Sequence, residues 1–324
     1  MTISRRKLIV TLGLGSAASL LPRAAFAAYP DRPIHLIVPF APGGNADIVG
    51  RIVGERISSA VGQPVVVDNR GGAGGSIGAE LVARAAPDGY TLFVGSNGPL
   101  TVNPFVQAKL AYDPLKDFAP IALTSYVPHC LILSTKVEAK TLKDLIAASE
   151  KQPVSIATSG VGTVQHLGFE MFKGEIGAFV VHVPYRGAAQ IVPDVISGQV
   201  PIGVVSVTAG LAQAKAGALH ALALMSPVKL TGAEDIPSLS EVLPGFNVAP
   251  RIFLLAPAGT PDAVIGKLNT EFVKILRSAE IKEKWKAFDF EPLPSTPQEF
   301  NRFWQADSKR WAEAVKISGF KATE

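Results

Sequence analysis

The sequence predicts an α/β fold of two doubly wound, Rossmann-like domains arranged as a clamshell, and three observations predict it. Runs rich in valine, isoleucine and leucine, among them 34–38, 65–67 and 91–96, are continuous instead of alternating, as strands covered on both faces are. Each run ends in a glycine turn that opens onto an apolar pattern of helical period. The rhythm breaks twice, over 114–134 and 248–257, where apolar stretches interrupted by proline carry the chain across and back.

In chain order, residues 1–27 read as an export leader outside the fold. Ser4-Arg5-Arg6-Lys7-Leu8-Ile9 has a twin-arginine pattern, and the apolar core 8–21 is too short to span a bilayer. Ala25-Phe26-Ala27 is a small-x-small cleavage site, so the mature chain is expected to begin at Ala28. The leader takes four of the 31 basic residues and none of the 27 acidic ones. The mature charge is then zero, and the alkaline pI of the precursor says nothing about nucleic acid. The remaining length suits about two domains. A single cysteine, Cys130, excludes an internal disulfide.

The run 34–38 feeds Pro39-Phe40-Ala41-Pro42-Gly43-Gly44, after which Ile48, Ile52, Val53 and Ile57 mark a helix. Strand 64–69 leads to Arg70-Gly71-Gly72-Ala73-Gly74-Gly75-Ser76 and a helix through Leu81 and Val82. Strand 91–96 ends in Asn97-Gly98-Pro99. Past the first crossing, Thr141 to Asp144 opens a helix as a capping box. Strand 154–158 runs into Ser159-Gly160-Val161-Gly162-Thr163 and a helix through Leu167, Met171 and Phe172. Strand 179–185 runs into Arg186-Gly187, and 202–207 and 220–225 are further strands. Thr260 is the expected cap of a helix with Pro261 first and a stripe at Val264, Leu268, Phe272 and Leu276. Thr296 and Glu299 box the start of the next; Phe300, Phe303, Trp304, Trp311 and Val315 form its buried face and Gly319 its end. The expected domains are 28–124 with 250–305, and 125–249 with 306–324.

A glycine turn between strand and helix lets backbone approach a ligand and aims unpaired amides at it, which holds an anion without a charged side chain. Glycine turns also serve tight packing alone. Two of them, one per domain, shift the balance towards binding: Gly43-Gly44 and Gly160-x-Gly162-Thr163 become facing walls of a carboxylate cleft beyond the strand ends. Asn45, Ser96, Asn97, Ser159 and Thr163 add neutral donors. Asp47 stands in the first helical turn, where a carboxylate stabilises the helix. Arg70, Arg186 and Arg251 can each pair with a ligand carboxylate or bridge loops. The candidate ligand set is Phe40, Gly43, Gly44, Asn45, Asp47, Ser96, Asn97, Ser159, Gly160, Gly162, Thr163, Arg186, Gly187 and Arg251.

Other chemistries lack their signatures. Gln165 and Ile77 stand where the third glycine of G-x-G-x-x-G belongs, no phosphate-loop pattern occurs, and Val94 breaks G-x-S-x-G around Ser96. The five histidines show no metal-ligand spacing, and His129 and Cys130, adjacent on a strand, point to opposite faces. No cofactor, metal or catalytic group is expected. An exported oxidoreductase or hydrolase using the same cleft is the competing reading, and a sensor feeding a two-component system is a third.

A set of motifs then resembles the Bug/TctC family, the extracytoplasmic solute receptors of tripartite tricarboxylate transporters. They are Tyr29-Pro30-Asp31-Arg32-Pro33-Ile34, Val38-Pro39-Phe40-Ala41-Pro42-Gly43-Gly44 with Asp47 and Arg51, and Val66-Val67-Asp68-Asn69-Arg70-Gly71-Gly72-Ala73-Gly74-Gly75. Pro87-Asp88-Gly89-Tyr90, Tyr112-Asp113-Pro114, Ser159-Gly160-Val161-Gly162-Thr163, Val183-Pro184-Tyr185-Arg186-Gly187 and Ala256-Pro257-Ala258-Gly259-Thr260-Pro261 continue it across the mature chain. The resemblance implies a monomeric, periplasmic Venus-flytrap receptor of the type II binding-protein kind. It would close on a small carboxylate (mono-, di- or tricarboxylate, acidic amino acid or aromatic acid) and serve a membrane permease. It places the acid group between Gly43, Gly44 and Asn45 on one side and Ser159, Gly160, Gly162 and Thr163 on the other. Three positions depart from the family pattern: Pro201 stands at an aspartate, Arg251 at a tryptophan and Phe253 at a glycine. Arg251 is therefore expected to reach the distal end of a second acid group.

Overall fold

The computed structural model describes residues 29–160, 163–176, 180–185, 190–226, 230, 233–243, 246, 248 and 250–318. The leader, Gly162, Arg186, Gly187 and Gly319 lie outside the described residues.

The first lobe starts with β1 (Ile34–Val38), α1 (Asn45–Val61), β2 (Val65–Asn69), α2 (Ser76–Ala83) and β3 (Thr91–Ser96), and the three strands pair in parallel with β1 central. Their continuous apolar character follows from burial on both faces. Ile34, Leu36 and Val38 meet Val53 and Ile57 of α1, whereas Ile37 meets Ala79 and Val82 of α2. Helix α1 lies close on the sheet because a Cβ on Gly50 would stand 3.0 Å from Val38 Cγ2.

β4 (Phe118–Tyr126) leads through Val127 and Pro128 into the second lobe. There β5 (His129–Ser134), α3 (Leu142–Ser149), β6 (Val154–Thr158), α4 (Val164–Ile176), β7 (Val180–Pro184), α5 (Ile191–Ser197), β8 (Ile202–Ser206), α6 (Val207–Lys215) and β9 (Leu219–Leu224) follow one another. The chain returns as β10 (Arg251–Pro257), then α7 (Asp262–Arg277), α8 (Ala279–Lys286), β11 (Glu291–Pro292) and α9 (Pro297–Ser318).

The sheets are a six-stranded β11-β4-β10-β3-β1-β2 and a five-stranded β7-β6-β8-β5-β9. Both are mixed, where continuous apolar strands alternating with helices indicate parallel ones. β10 runs antiparallel to both β3 and β4, and β5 antiparallel to β8 and β9. The hinge dictates this: β4 leaves the first lobe and β10 re-enters it at the same place, so they run in opposite directions. The two crossings touch there, with Val127 N donating to Pro250 O at 2.8 Å.

Helix α9 belongs to both lobes. Phe300 and Trp304 enter the first-lobe core beside Phe93 and Phe253, while Trp311, Ala314 and Val315 enter the second-lobe core beside Leu167, Phe169 and Phe172. Each such fully buried large apolar side chain contributes about 1.5–3 kcal/mol. Val102 and Val106, from the segment after β3, also join the second-lobe core. The capping boxes at Thr141 and Thr296 form as the sequence predicts. Thr260 does not cap: Pro261 takes the N-cap place of α7, and the Thr260 hydroxyl donates to the nearer Pro257 carbonyl at 2.8 Å.

Candidate functional site

The corner after β1 is an exposed turn, residues 41–44, with Gly43 at φ +84°, where glycine alone is unstrained. Helix α1 begins after Gly44 with no side-chain cap, so its first amides lack intrahelical partners. Asn45 is half-buried at its mouth. The Gly43 amide is not part of this free set, because it donates to Asp47 Oδ2 at 2.8 Å. Asp47, named above as a candidate contact, is 2% exposed and serves the turn from behind. Arg51 Nε donates to Oδ2 at 3.0 Å and Asn69 Nδ2 to Oδ1 at 2.9 Å, and Asn69 also donates to Phe40 O at 3.0 Å. Burial opposes its charge, yet the bonds from Arg51, Gly43 and Asn69 prevail and hold its carboxyl below the usual value. With the carboxylate so engaged, Asp47 is a buttress.

The turns after β2 and β3 pack against the same corner. A Cβ on Gly75 would stand 3.3 Å from Phe40 Cζ, and one on Gly98 3.9 Å from the same atom, so three strand ends gather around the Phe40 ring. The glycines of 71–75 serve this packing, and Asn103 Nδ2 fixes their turn through Gly74 O at 3.1 Å. Arg70 lies outside it, paired with Asp68 at 2.7 Å on the surface.

In the second lobe, β6 ends at Thr158 and the chain turns through Ser159 and Gly160, the latter at φ +136°. Thr163 starts α4: its hydroxyl donates to Gly160 O at 2.8 Å and accepts from His166 N at 3.2 Å. Under this corner the rings of His166 and His182 stack at 4.0 Å, and His182 Nε2 meets Thr158 Oγ1 at 2.6 Å. His129 Nε2 and Gln165 Nε2 are 2.7 Å apart, which joins the start of β5 to the first turn of α4. Burial pushes all three imidazoles down to about 4, with neighbouring charge adding to it at His166 and His182, so they are neutral near pH 7. Arg186 and Gly187 follow β7 and are not described.

Two further candidates are placed in the interior. Asn97 is fully buried; its amide donates to Thr101 Oγ1 at 3.1 Å and Asp307 Oδ2 at 2.6 Å, and its oxygen accepts from Arg251 N at 2.7 Å. Arg251, 2% exposed, lies between the rings of Tyr126 and Phe303 at 4.4 and 4.6 Å and donates to Tyr126 Oη at 3.1 Å. The sequence placed this guanidinium against a ligand's second acid group; in the fold it is buried between these two rings. The aromatic faces and the Asp307 carboxylate, 3.8 Å from Nη1, offset part of the cost of burying this guanidinium. Ser96 is buried at the end of β3 beside this cluster.

Sequence reasoning missed the supporting residues. Arg51 was readable, four residues beyond Asp47 on one helix face. Asn69, His182, Asp307 and Tyr126 arrive through long-range pairing and gave no local signal. A cavity of about 290 Å³ opens between Leu230 and the segment 282–292, and none of the predicted residues lines it. Among the described residues no cluster of histidine, cysteine or acidic side chains could hold a metal ion.

Comparison with known proteins decides the family. Residues 49–320 match the model of the tripartite tricarboxylate transporter family receptor, TctC. The chain belongs to this family. It is 33% identical to the protein BugT of Bordetella pertussis over 325 residues, covering 99% of each chain. Among solved structures it is similar to R. palustris Rpa4515 with adipate, at 31% identity and a TM-score of 0.83 over 91% of this chain and 100% of that one. It is also similar to MatC from Rhodopseudomonas palustris with bound malate, at 28% identity and a TM-score of 0.76 over 89% and 100%. These TctC relatives share the two-lobed α/β fold described above.

Proposed function

We propose that this TctC receptor captures a small carboxylate between its lobes in the periplasm and delivers it to the membrane permease of a tripartite tricarboxylate-type transporter. The observation that carries the reading is the pair of strand–glycine–helix corners, one per lobe. Each brings a glycine turn to a helix start where an anion is favoured; the first adds the Asn45 amide and the second the hydroxyls of Ser159 and Thr163. Relatives with adipate and malate bound support a dicarboxylic acid as the ligand. In this reading Gly44, Asn45 and Phe40 contact the acid from the first lobe, and Ser159, Gly160, Gly162 and Thr163 from the second, with Ser96 on the floor. Asp47 and Thr163 hold the corners in shape. Closure follows because a ligand bridging both lobes binds the closed form more tightly than the open one.

The receptor is taken to be exported by the leader 1–27 and to act as a monomer, its lobes dividing at 124/125, 249/250 and 305/306. The test is a thermal-shift screen of adipate, malate, citrate, glutamate and benzoate, followed by calorimetric titration of the hits. A ligand present at one hundred times its Kd adds about 2.7 kcal/mol of stability, so a true ligand raises Tm by several degrees. A screen in which no acid moves Tm, while the protein is folded, would overturn the assignment.

A further inference from the structure

Asp307 sits midway along α9, where the helix passes from one core to the other. Its buried carboxylate collects donors from three directions. Oδ2 accepts from Asn97 Nδ2 at 2.6 Å, at the end of β3, and from Trp311 Nε1 at 3.1 Å, a side chain held in the second-lobe core. Oδ1 accepts from Arg310 Nη2 at 2.5 Å and faces Arg251 Nη1 at 3.8 Å, on the first residue of β10. Arg251 in turn donates to Tyr126 on the last residue of β4, and its own amide donates to Asn97. One hinge strand directly, the other through Arg251, the turn after β3 and the C-terminal half of α9 therefore converge on one carboxylate. An apolar residue would close the two cores without burying a charge, so packing alone does not call for this arrangement.

We propose that Asp307 is a positioning residue for ligand capture, coupling the turn after β3 at the cleft floor to the angle between the lobes. The inference rests on the cleft reading above. Asn97 and Trp311 share one oxygen but are anchored in different lobes. Because Asp307 and Trp311 lie one turn apart on α9, a rotation of the second lobe that moves this helix must carry the end of β3 with it or stretch the Asn97 bond. Occupation of the floor then biases the rotation, and the rotation sets the floor.

The experiment compares Asp307→Asn with the exchange Asn97→Asp plus Asp307→Asn, which reverses the donor and acceptor of the 2.6 Å bond and keeps the net charge. Calorimetric titration with adipate and malate is done at a temperature where circular dichroism shows each variant folded. The radius of gyration is measured by X-ray scattering with and without the acid. Asp307→Asn is expected to bind about tenfold more weakly and to shift the ligand-free radius of gyration, and the exchange to recover affinity to within about threefold of wild type. A folded Asp307→Asn protein with lower Tm but wild-type affinity and radius would reduce Asp307 to a structural group and overturn the proposal. If that variant does not fold, Arg310→Gln removes one partner of Oδ1 from a partly exposed site; about threefold weaker binding supports the proposal and unchanged affinity and radius refute it. If wild type binds neither acid, the ligand assignment falls, while the ligand-free radius of Asp307→Asn still decides the positioning role.

Discussion

The corner after β1 and the corner after β6 share a plan, a strand end, a glycine at positive φ and a helix start, but they are held by different chemistry. The first is clamped by an ionised carboxylate, Asp47, with Arg51 and Asn69 tying it to the neighbouring strand. The second is held by a threonine cap over a stack of neutral imidazoles. One backbone geometry can thus be stabilised by charge or by its absence. The choice decides which lobe responds to acid.

The largest expected difference is in pH dependence. In the folded protein His129, His166 and His182 bind protons only near pH 4, whereas in the unfolded chain they do so from the ordinary value of 6.5. The unfolded state therefore holds more protons between pH 6.5 and 4, and stability falls as the pH is lowered through that window. For fully buried His129 the loss approaches ~2–3 kcal/mol by pH 4.5. Asp47 works at lower pH, since a depressed carboxyl keeps its contribution until the pH drops below the usual carboxylate range. Hydrogen exchange, corrected for intrinsic rates, should show residues 155–170 losing protection between pH 6.5 and 4.5 while 38–51 keep theirs. Equal loss at both corners would break the comparison.

Next in size, Asp47→Ala removes the acceptor of the Gly43 amide and of Arg51 Nε, leaves Asn69 Nδ2 with Phe40 O alone, and should cost about 2–3 kcal/mol in urea denaturation, with weaker ligand binding. The glycines come third. Gly160→Ala adds strain at φ +136° and a contact 3.3 Å from Tyr185 O, for about 2–3 kcal/mol. Gly43→Ala has open space around it and bears only the left-handed penalty of about 1–2 kcal/mol. A reversed order would show that the second corner tolerates rearrangement. The smallest change is Thr163→Val, which removes the cap from α4 for about 1 kcal/mol. Calorimetric melting of that variant should leave the acid limb of the stability profile unaltered, because the imidazoles remain.

Much of this fold was legible locally. The strand at 91–96, the boxes at Thr141 and Thr296 and the inward aromatics of α9 are set by residues a few positions apart, which is the range that periodicity reads. The antiparallel return of β10 was not, since strand direction follows from where the hinge sits. Within the site the glycine corners could be read because positive φ and helix starts leave a sequence mark. The burial of Arg251 and Asn97 was not legible, for one reason. A polar residue at a strand end looks solvent-facing until its partners, Tyr126 and Asp307, arrive from far along the chain. Asp47 was legible as a helix-stabilising carboxylate from its place in the first turn, and its bond from Asn69 on the adjacent strand shows that it faces inward.

Helix α9 gives each core one of its walls, Trp304 in one and Trp311 in the other. Neither core is complete without this one helix, so both depend on the segment 297–318. A product terminated before residue 300 would expose two apolar interiors at once and be conspicuous to proteases.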